Sequence, residues 1–383
     1  MFTFIAGLLL AVRLAPADPI ADRLVASALE TTPEIAAARA TADAARLRIA
    51  PARTLPDPSV TFQYENAAYG VMLMQPIPWP GKLSLAGEVA HSEARELEAG
   101  MVPRAALTIE ARVRNTWYEL VLARALDQLI EERRRTATQI EESVRSRYAA
   151  GLAVQQDVLR AQVELARLDE TSLAQQATIA AKLAELHRLV GRDAPIEGEL
   201  PSDTEVPPAD DVIAAALGRS PEVAAARAGI ETGRIAIDLA KKNFLPDFVV
   251  SGGEMDAMWQ FSAGISIPAW IDRRQRNQLA EAHARVAART AESEVVAREL
   301  EVRTRERLAQ LDAARRTAAL YREKIVPLDE LALESALASY QAGQVPFVSV
   351  LDALNALFSD RAQLLGKLAE NARWRIAIDE VMP

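Results

Sequence analysis

Residues 28–40 read ALETTPEIAAARA, and residues 216–228 read ALGRSPEVAAARA. The second stretch repeats the first at a displacement of 188 residues, with Pro33 falling on Pro221 and Arg39 on Arg227. Working outward, Leu55-Pro56-Asp57 returns as Leu245-Pro246-Asp247 and Ile77-Pro78 as Ile267-Pro268, both displaced by 190. YAAGLAVQQDVLRAQVEL from Tyr148 returns as YQAGQVPFVSVLDALNAL from Tyr340, displaced by 192, which aligns Gly151 with Gly343. Three blocks in the same order, almost in step, mean that one supersecondary unit occurs twice. The period is far too long for a solenoid.

The first repeat spans 18–194 and the second 212–383, joined by a Pro-rich acidic linker at 195–211. Residues 18–52 have a helical pattern, with Pro33 opening a helix after the cap candidates Thr31 and Thr32. Pro56 and Pro58 stop it, and the period changes to two. Val60, Phe62 and Tyr64 alternate with Thr61, Gln63 and Glu65, as do Trp259, Phe261, Ala263, Ile265 and Ile267 with Gln260, Ser262, Gly264 and Ser266. One hairpin is expected in each repeat, at about 58–78 and 247–268, turning at Ala67–Gly70 and Met255–Ala257. The strands Val60–Asn66 and Val71–Ile77 are expected to be short for a membrane strand. Long helices follow at 82–148 and 272–340, with kinks expected at Gly100, Pro103 and Pro327. Shorter helices follow at 153–190 and 345–379.

The fold class is therefore mainly α with short β-hairpins. An apolar face alternating with a small or polar one suits a barrel strand between lipid and water. Two hairpins supply only four strands, and lipid leaves an open backbone edge unsatisfied. Three chains would supply twelve, closing a β-barrel that a long α-helical barrel continues.

Composition narrows the function classes. Half the residues are hydrophobic but only 5% aromatic, which is helix-bundle composition, and the net charge of −9 argues against nucleic-acid binding. With no cysteine the chain has no disulfide, no thiolate metal site and no cysteine for a lipid anchor, so a non-lipidated protein is expected. Residues 1–17 have the apolar run and the Ala15-Pro16-Ala17 site of an export signal, without its usual leading Lys or Arg. No nucleophile motif, phosphate loop or paired-carboxylate constellation appears, so neither an enzyme nor a cofactor is expected. His91, His187 and His283 show no ligand spacing, so no metal site is expected. Met72, Met74, Met255 and Met258 fit either soft-metal contact along an exit path or, by preference, flexible apolar filler.

The two Y-x-x-G turns with a following Val-Leu, the doubled layout and the helices of nearly 70 residues resemble TolC-type outer-membrane efflux factors over nearly the whole chain. Pro56-Asp57-Pro58 and PIPWPGK at 76–82 are similar to the branch serving heavy-metal resistance-nodulation-division pumps. The resemblance implies a homotrimer in the outer membrane and periplasm. Such a trimer passively conducts metal cations or small toxic compounds from an inner-membrane pump and a periplasmic adaptor protein to the exterior. It also implies a periplasmic gate near the turns: Asp157 and Asp352 match acidic gate positions and Tyr340 a helix-linking tyrosine. Ser349 stands where many relatives are acidic, and Val345 where some carry a basic latch. Gly151, Leu152 and Gly343 resemble the adaptor-docking tips.

Each assignment has a plainer counterpart. Asp157 and Asp352 also suit helix starts, the glycines also suit a left-handed backbone, and Trp79, Trp259 and Trp270 suit either the lipid headgroup level or helix-sheet packing. A soluble periplasmic helical scaffold that forms no pore is the alternative for the chain as a whole.

Overall fold

A computed structural model of the chain describes residues 18–65, 68–191, 198–201, 206, 208–255 and 258–381. The expected leader 1–17 and part of the linker 195–211 lie outside these residues. The first repeat contributes α1 (Pro19–Thr31), α2 (Pro33–Leu47), α3 (Ile49–Arg53), β1 (Ser59–Glu65), β2 (Ala68–Ile77), α4 (Lys82–Ala149) and α5 (Gln155–Val190). The second contributes α6 (Ala209–Arg219), α7 (Pro221–Lys242), β3 (Asp247–Met255), β4 (Met258–Ser266), α8 (Gln275–Leu320), a π-helical turn (Tyr321–Ile325), α9 (Val326–Gln341) and α10 (Phe347–Asp379).

The prolines of the opening repeat block explain its local geometry. A residue before proline avoids the α region, and Thr32 is extended (φ −74°, ψ 124°), so the helical stretch 18–52 is divided there and α2 opens at Pro33, as the sequence leads one to expect. Ser220 takes the same role before Pro221 (φ −59°, ψ 128°), and its hydroxyl accepts from the Glu222 N–H at 3.2 Å.

The two long helical runs behave differently. The first is one helix of 68 residues, about 100 Å at 1.5 Å per residue, and its helical run continues through Gly100 and Pro103. Gly100 serves packing, since a Cβ there would lie 2.7 Å from the Ala225 Cβ on α7. Pro103 costs about 3 kcal/mol in a helix interior, which the many flanking turns of so long a helix absorb. The second run, expected as 272–340, begins at Gln275 and is divided by the π turn just before Pro327. The proline ring would clash with the carbonyl four residues back. Widening the preceding turn relieves this, and the Val326 N–H bonds to the Tyr321 carbonyl, five residues away.

Both hairpins join one antiparallel sheet in the order β1-β2-β3-β4. Glu65 pairs with Ala68 and Met255 with Met258, so only residues 66–67 and 256–257 lie between the strands. The turns are thus shorter than Ala67–Gly70 and Met255–Ala257: Ala68, Tyr69 and Gly70 belong to β2 and Met255 to β3. Backbone pairing carried to the hairpin ends lengthens β2 to 10 residues and β3 and β4 to 9 each, while β1 has 7. Three of the four strands therefore reach membrane-spanning length; β1 keeps about the seven residues expected of it, whereas β2 is longer than the expected Val71–Ile77.

By contact the chain forms two compact units, and neither is a sequence repeat. One comprises residues 33–105 and 216–301, the other 1–32, 106–215 and 302–383. Corresponding parts of the two repeats pack with each other, which the sequence division at 195–211 does not convey. In the first of these units, Lys82 Nζ at the start of α4 bonds to Asp247 Oδ1 at 2.7 Å and to the Leu245 carbonyl at 2.9 Å. Asp247 also accepts from the Trp79 N–H at 2.7 Å, fixing the entry to β3 against the exit from β2. In the other unit, the Asp18 carboxylate caps α1 and accepts from the Trp117 indole at 2.7 Å, burying Trp117 completely.

Candidate periplasmic gate and membrane sheet

The ends of α4 and α9 are built alike. Leu152 N–H bonds to the Arg147 carbonyl and Gly151 N–H to that of Tyr148; Gln344 N–H bonds to Ser339 and Gly343 N–H to Tyr340. Every partner is displaced by 192 residues, the repeat spacing. Such helix C-termini need a left-handed residue, and Gly151 (φ 75°) and Gly343 (φ 74°) supply it. A Cβ at either would meet nothing within 4 Å, so conformation alone calls for glycine. Leu152 is two-thirds exposed at the tip of its turn.

The helices that leave the turns start without side-chain caps, at Val154 and Pro346. Asp157 N–H then bonds to the Val154 carbonyl and Ser349 N–H to the Pro346 carbonyl, both at 3.0 Å, so Asp157 and Ser349 occupy the same place in the two repeats. Only Asp157 meets Tyr340, whose hydroxyl donates to its carboxylate at 3.4 Å. Asp352 is exposed on α10 and has no side-chain partner among the described residues. Tyr340, at 7% exposure, packs on Phe347 with ring centroids 5.4 Å apart. It belongs to an apolar cluster with Ile140, Val144, Leu333, Val350 and Leu354. Burial, and then the charge of Asp157, raise the Tyr340 phenol above its usual pKa, so it remains a donor.

Sequence reading passed over Arg147. Its guanidinium carbon lies 5.2 Å from the Tyr340 ring centroid, and Nη1 donates to the Gln341 carbonyl at 2.9 Å. A first-repeat cation thus holds the end of a second-repeat helix, a role for which Val345 has no donor. A basic residue immediately before the first turn tyrosine was the available signal. Farther along the same helices, Arg361 bridges Glu132 and Glu330, each at 2.6 Å, and Arg133 bonds to Glu164 and Asn355. Beside Arg361, burial raises the Asp329 carboxyl pKa, and a hydrogen bond and like charge from Asp360 raise it further.

In the other compact unit the sheet has two unlike faces. Strand pairing puts Val60, Phe62 and Tyr64 beside Leu73, Val71 and Tyr69, and Val250 and Phe248 beside Ala263 and Ile265. Phe62 and Phe261 are each 80% exposed, and Tyr64, Leu73, Trp259 and Ile265 are exposed with them. The opposite face carries Thr61, Gln63, Gln260 and a bonded pair of hydroxyls, Ser251 and Ser262, 2.6 Å apart. Among the described residues, β1 and β4 have no strand partner on their outer edges. Trp259 and Trp270 are exposed, whereas Trp79 is half-buried and stacked on Phe248 at 5.4 Å. No described helix is long and apolar enough to cross a membrane. Among the described residues no group of three or more His, Cys, Asp or Glu side chains is placed to hold a metal ion.

Comparison with known proteins gives a consistent result. Residues 212–381 match the family described as outer membrane efflux protein. Over 345 residues the chain is 25% identical to the cobalt-zinc-cadmium resistance protein CzcC of Cupriavidus metallidurans, covering 86% of this chain and 82% of that protein. In fold it is similar to CusC, whose structures concern folding and transmembrane channel formation (TM-score 0.82, 18% identity, 96% of this chain and 92% of that one). It is also similar to the outer membrane protein VceC of Vibrio cholerae (TM-score 0.77, 21% identity, 94% and 95%).

Proposed function

We propose, from the match of residues 212–381 in the second repeat to the outer membrane efflux protein family, that three copies assemble into the outer-membrane channel of a tripartite efflux system. The observation that carries this reading is the four-stranded sheet with two unpaired edges and one exposed apolar face. In water such a face and such edges are liabilities. In a bilayer the face is solvated by lipid, and the edges are satisfied once identical neighbours close a twelve-stranded barrel. The same exposed face weighs against the soluble periplasmic scaffold.

Conduction through such a channel is passive, and energy comes from an inner-membrane pump reached through a periplasmic adaptor. The Leu152 side chain and the two glycine turns are the surface offered to that adaptor. The likeness to CzcC supports metal cations as the exported class. The contacts among Arg147, Gln341, Tyr340 and Asp157 hold the aperture narrow. Asp352, exposed and without a side-chain partner among the described residues, supplies a threefold acidic ring at the axis, which raises the local cation concentration.

Planar-bilayer recording of the detergent-solubilised oligomer tests this. A small, cation-preferring conductance is expected, with the preference weakened in Asp352→Ala. A monomer that stays soluble without detergent and conducts nothing would overturn the channel, and unchanged selectivity in the variant would remove Asp352 from the aperture.

A further inference from the structure

Four of the seven methionines lie in the sheet, and strand pairing puts all four on one face. Met72 and Met74 face Gly253 and Ser251, and Met255 sits between Gly70 and Met258. This is the face of Gln63, Gln260 and the Ser251–Ser262 pair, not the apolar one. A Cβ at Gly253 would collide with the Val71 carbonyl oxygen, so that glycine answers to close backbone approach, and Met72 Sδ lies beside the same position at 2.9 Å. Packing does not account for the whole set, because Met258 is 64% exposed and Met74 41%. A thioether also has a lone pair to offer, which leucine and valine lack.

We propose that these thioethers form a soft-cation contact site on the lumen side of the barrel, taking monovalent ions of the Cu(I) and Ag(I) type in transit. Thioether sulfur is a soft, neutral ligand that suits Cu(I), whereas imidazole, thiolate and carboxylate suit zinc and its neighbours. The chain contains no cysteine, and among the described residues no His, Asp and Glu cluster competes for the ion. Neutral ligands on a mobile side chain bind loosely enough to release, as a conducting path requires. Met255 and Met258 flank one hairpin end and Met72 and Met74 lead away from it, giving successive positions along the exit. The inference rests on the channel reading, which makes this face the lumen.

The test is calorimetric titration of the detergent-solubilised full chain with silver nitrate in nitrate buffer, with zinc nitrate in parallel. The comparison is a variant carrying Met72→Leu, Met74→Leu, Met255→Leu and Met258→Leu, changes that conserve volume. Saturable Ag(I) binding by the wild type, lost in the variant and absent with zinc, is expected. If the fourfold variant does not fold, Met74→Leu with Met258→Leu alters only the exposed pair and is expected to weaken the isotherm. Ag(I) binding that is equal in wild type and variant, or matched by zinc, overturns the site. Conductance of the same preparation is recorded separately, so a non-conducting wild type sinks the channel reading while the titration still decides the thioethers.

Discussion

Replacing Arg147 with alanine isolates the link between the two repeats at the turn end. Two contacts disappear together. One is the guanidinium over the Tyr340 ring at 5.2 Å, worth about 0.5–1 kcal/mol at an exposed site and about 2 when desolvated. The other is the charge-assisted bond to the Gln341 carbonyl at 2.9 Å, worth about 1.5 kcal/mol at the lower end for a charged donor. Arg147 is half-buried, so a combined value of about 2 kcal/mol is reasonable, or roughly a thirtyfold shift toward the open form at 1.4 kcal/mol per decade. Tyr340→Phe removes only a 3.4 Å hydrogen bond, at the weak limit of geometry, and leaves the ring packed on Phe347, so about a twofold shift is expected. Arg147→Lys keeps the charge but loses the planar stack, and should fall between them. The assay is open probability in planar bilayers at fixed salt and voltage. If Tyr340→Phe opens the channel more than Arg147→Ala does, the hydroxyl to Asp157 is the latch and the assignment of Arg147 is wrong.

Two further outcomes follow, one from backbone conformation and one from a raised carboxyl pKa. Gly343→Ala and Gly151→Ala gain no clash yet force a left-handed alanine, so each should lower stability by about 1–2 kcal/mol, read as a fall in the thermal midpoint in detergent; a rise contradicts the account of the turns. The Asp329 pKa is raised by burial and by Asp360, so in the folded chain the carboxyl favours its protonated form. Its contribution is fully present below the ordinary Asp pKa and is lost as pH rises through the raised value. Asp329→Asn should therefore gain thermal stability over wild type on going from about pH 4 to about pH 7, and a difference that does not grow with pH removes the carboxyl pair as its cause.

Much of this fold is legible in the sequence because repetition and periodicity are local properties. The repeated Pro33 and Pro221 mark helix starts, and the alternation around Phe62 and Phe261 marks strands. Gly151 and Gly343 mark turns whose hydrogen bonds match residue for residue. What the sequence leaves hidden depends on partners distant in the chain. Nothing local indicates that β2 pairs with β3, that Gly100 faces Ala225, or that the clash at Pro327 is taken up by a widened turn. The proposed gate divides in the same way. Tyr340 and Asp157 enter it through the resemblance, and the structure adds a 3.4 Å hydrogen bond between them, whereas Arg147 acquires meaning only when α4 is placed beside the end of α9. Ser349 is explained by the repeat itself, as the neutral counterpart of Asp157.

The bare backbone rims of β1 and β4 also constrain the route by which the channel is made. Joining two subunits satisfies one pair of rims and leaves another pair bare, so a dimer halves the bare edge per chain without closing it. The full return arrives with the third arrival, which makes the process close to all-or-none and steeply dependent on subunit supply. Until then each newly made chain offers sticky ribbons to any passing strand, and its safest course is to mature beside the bilayer that will shelter it.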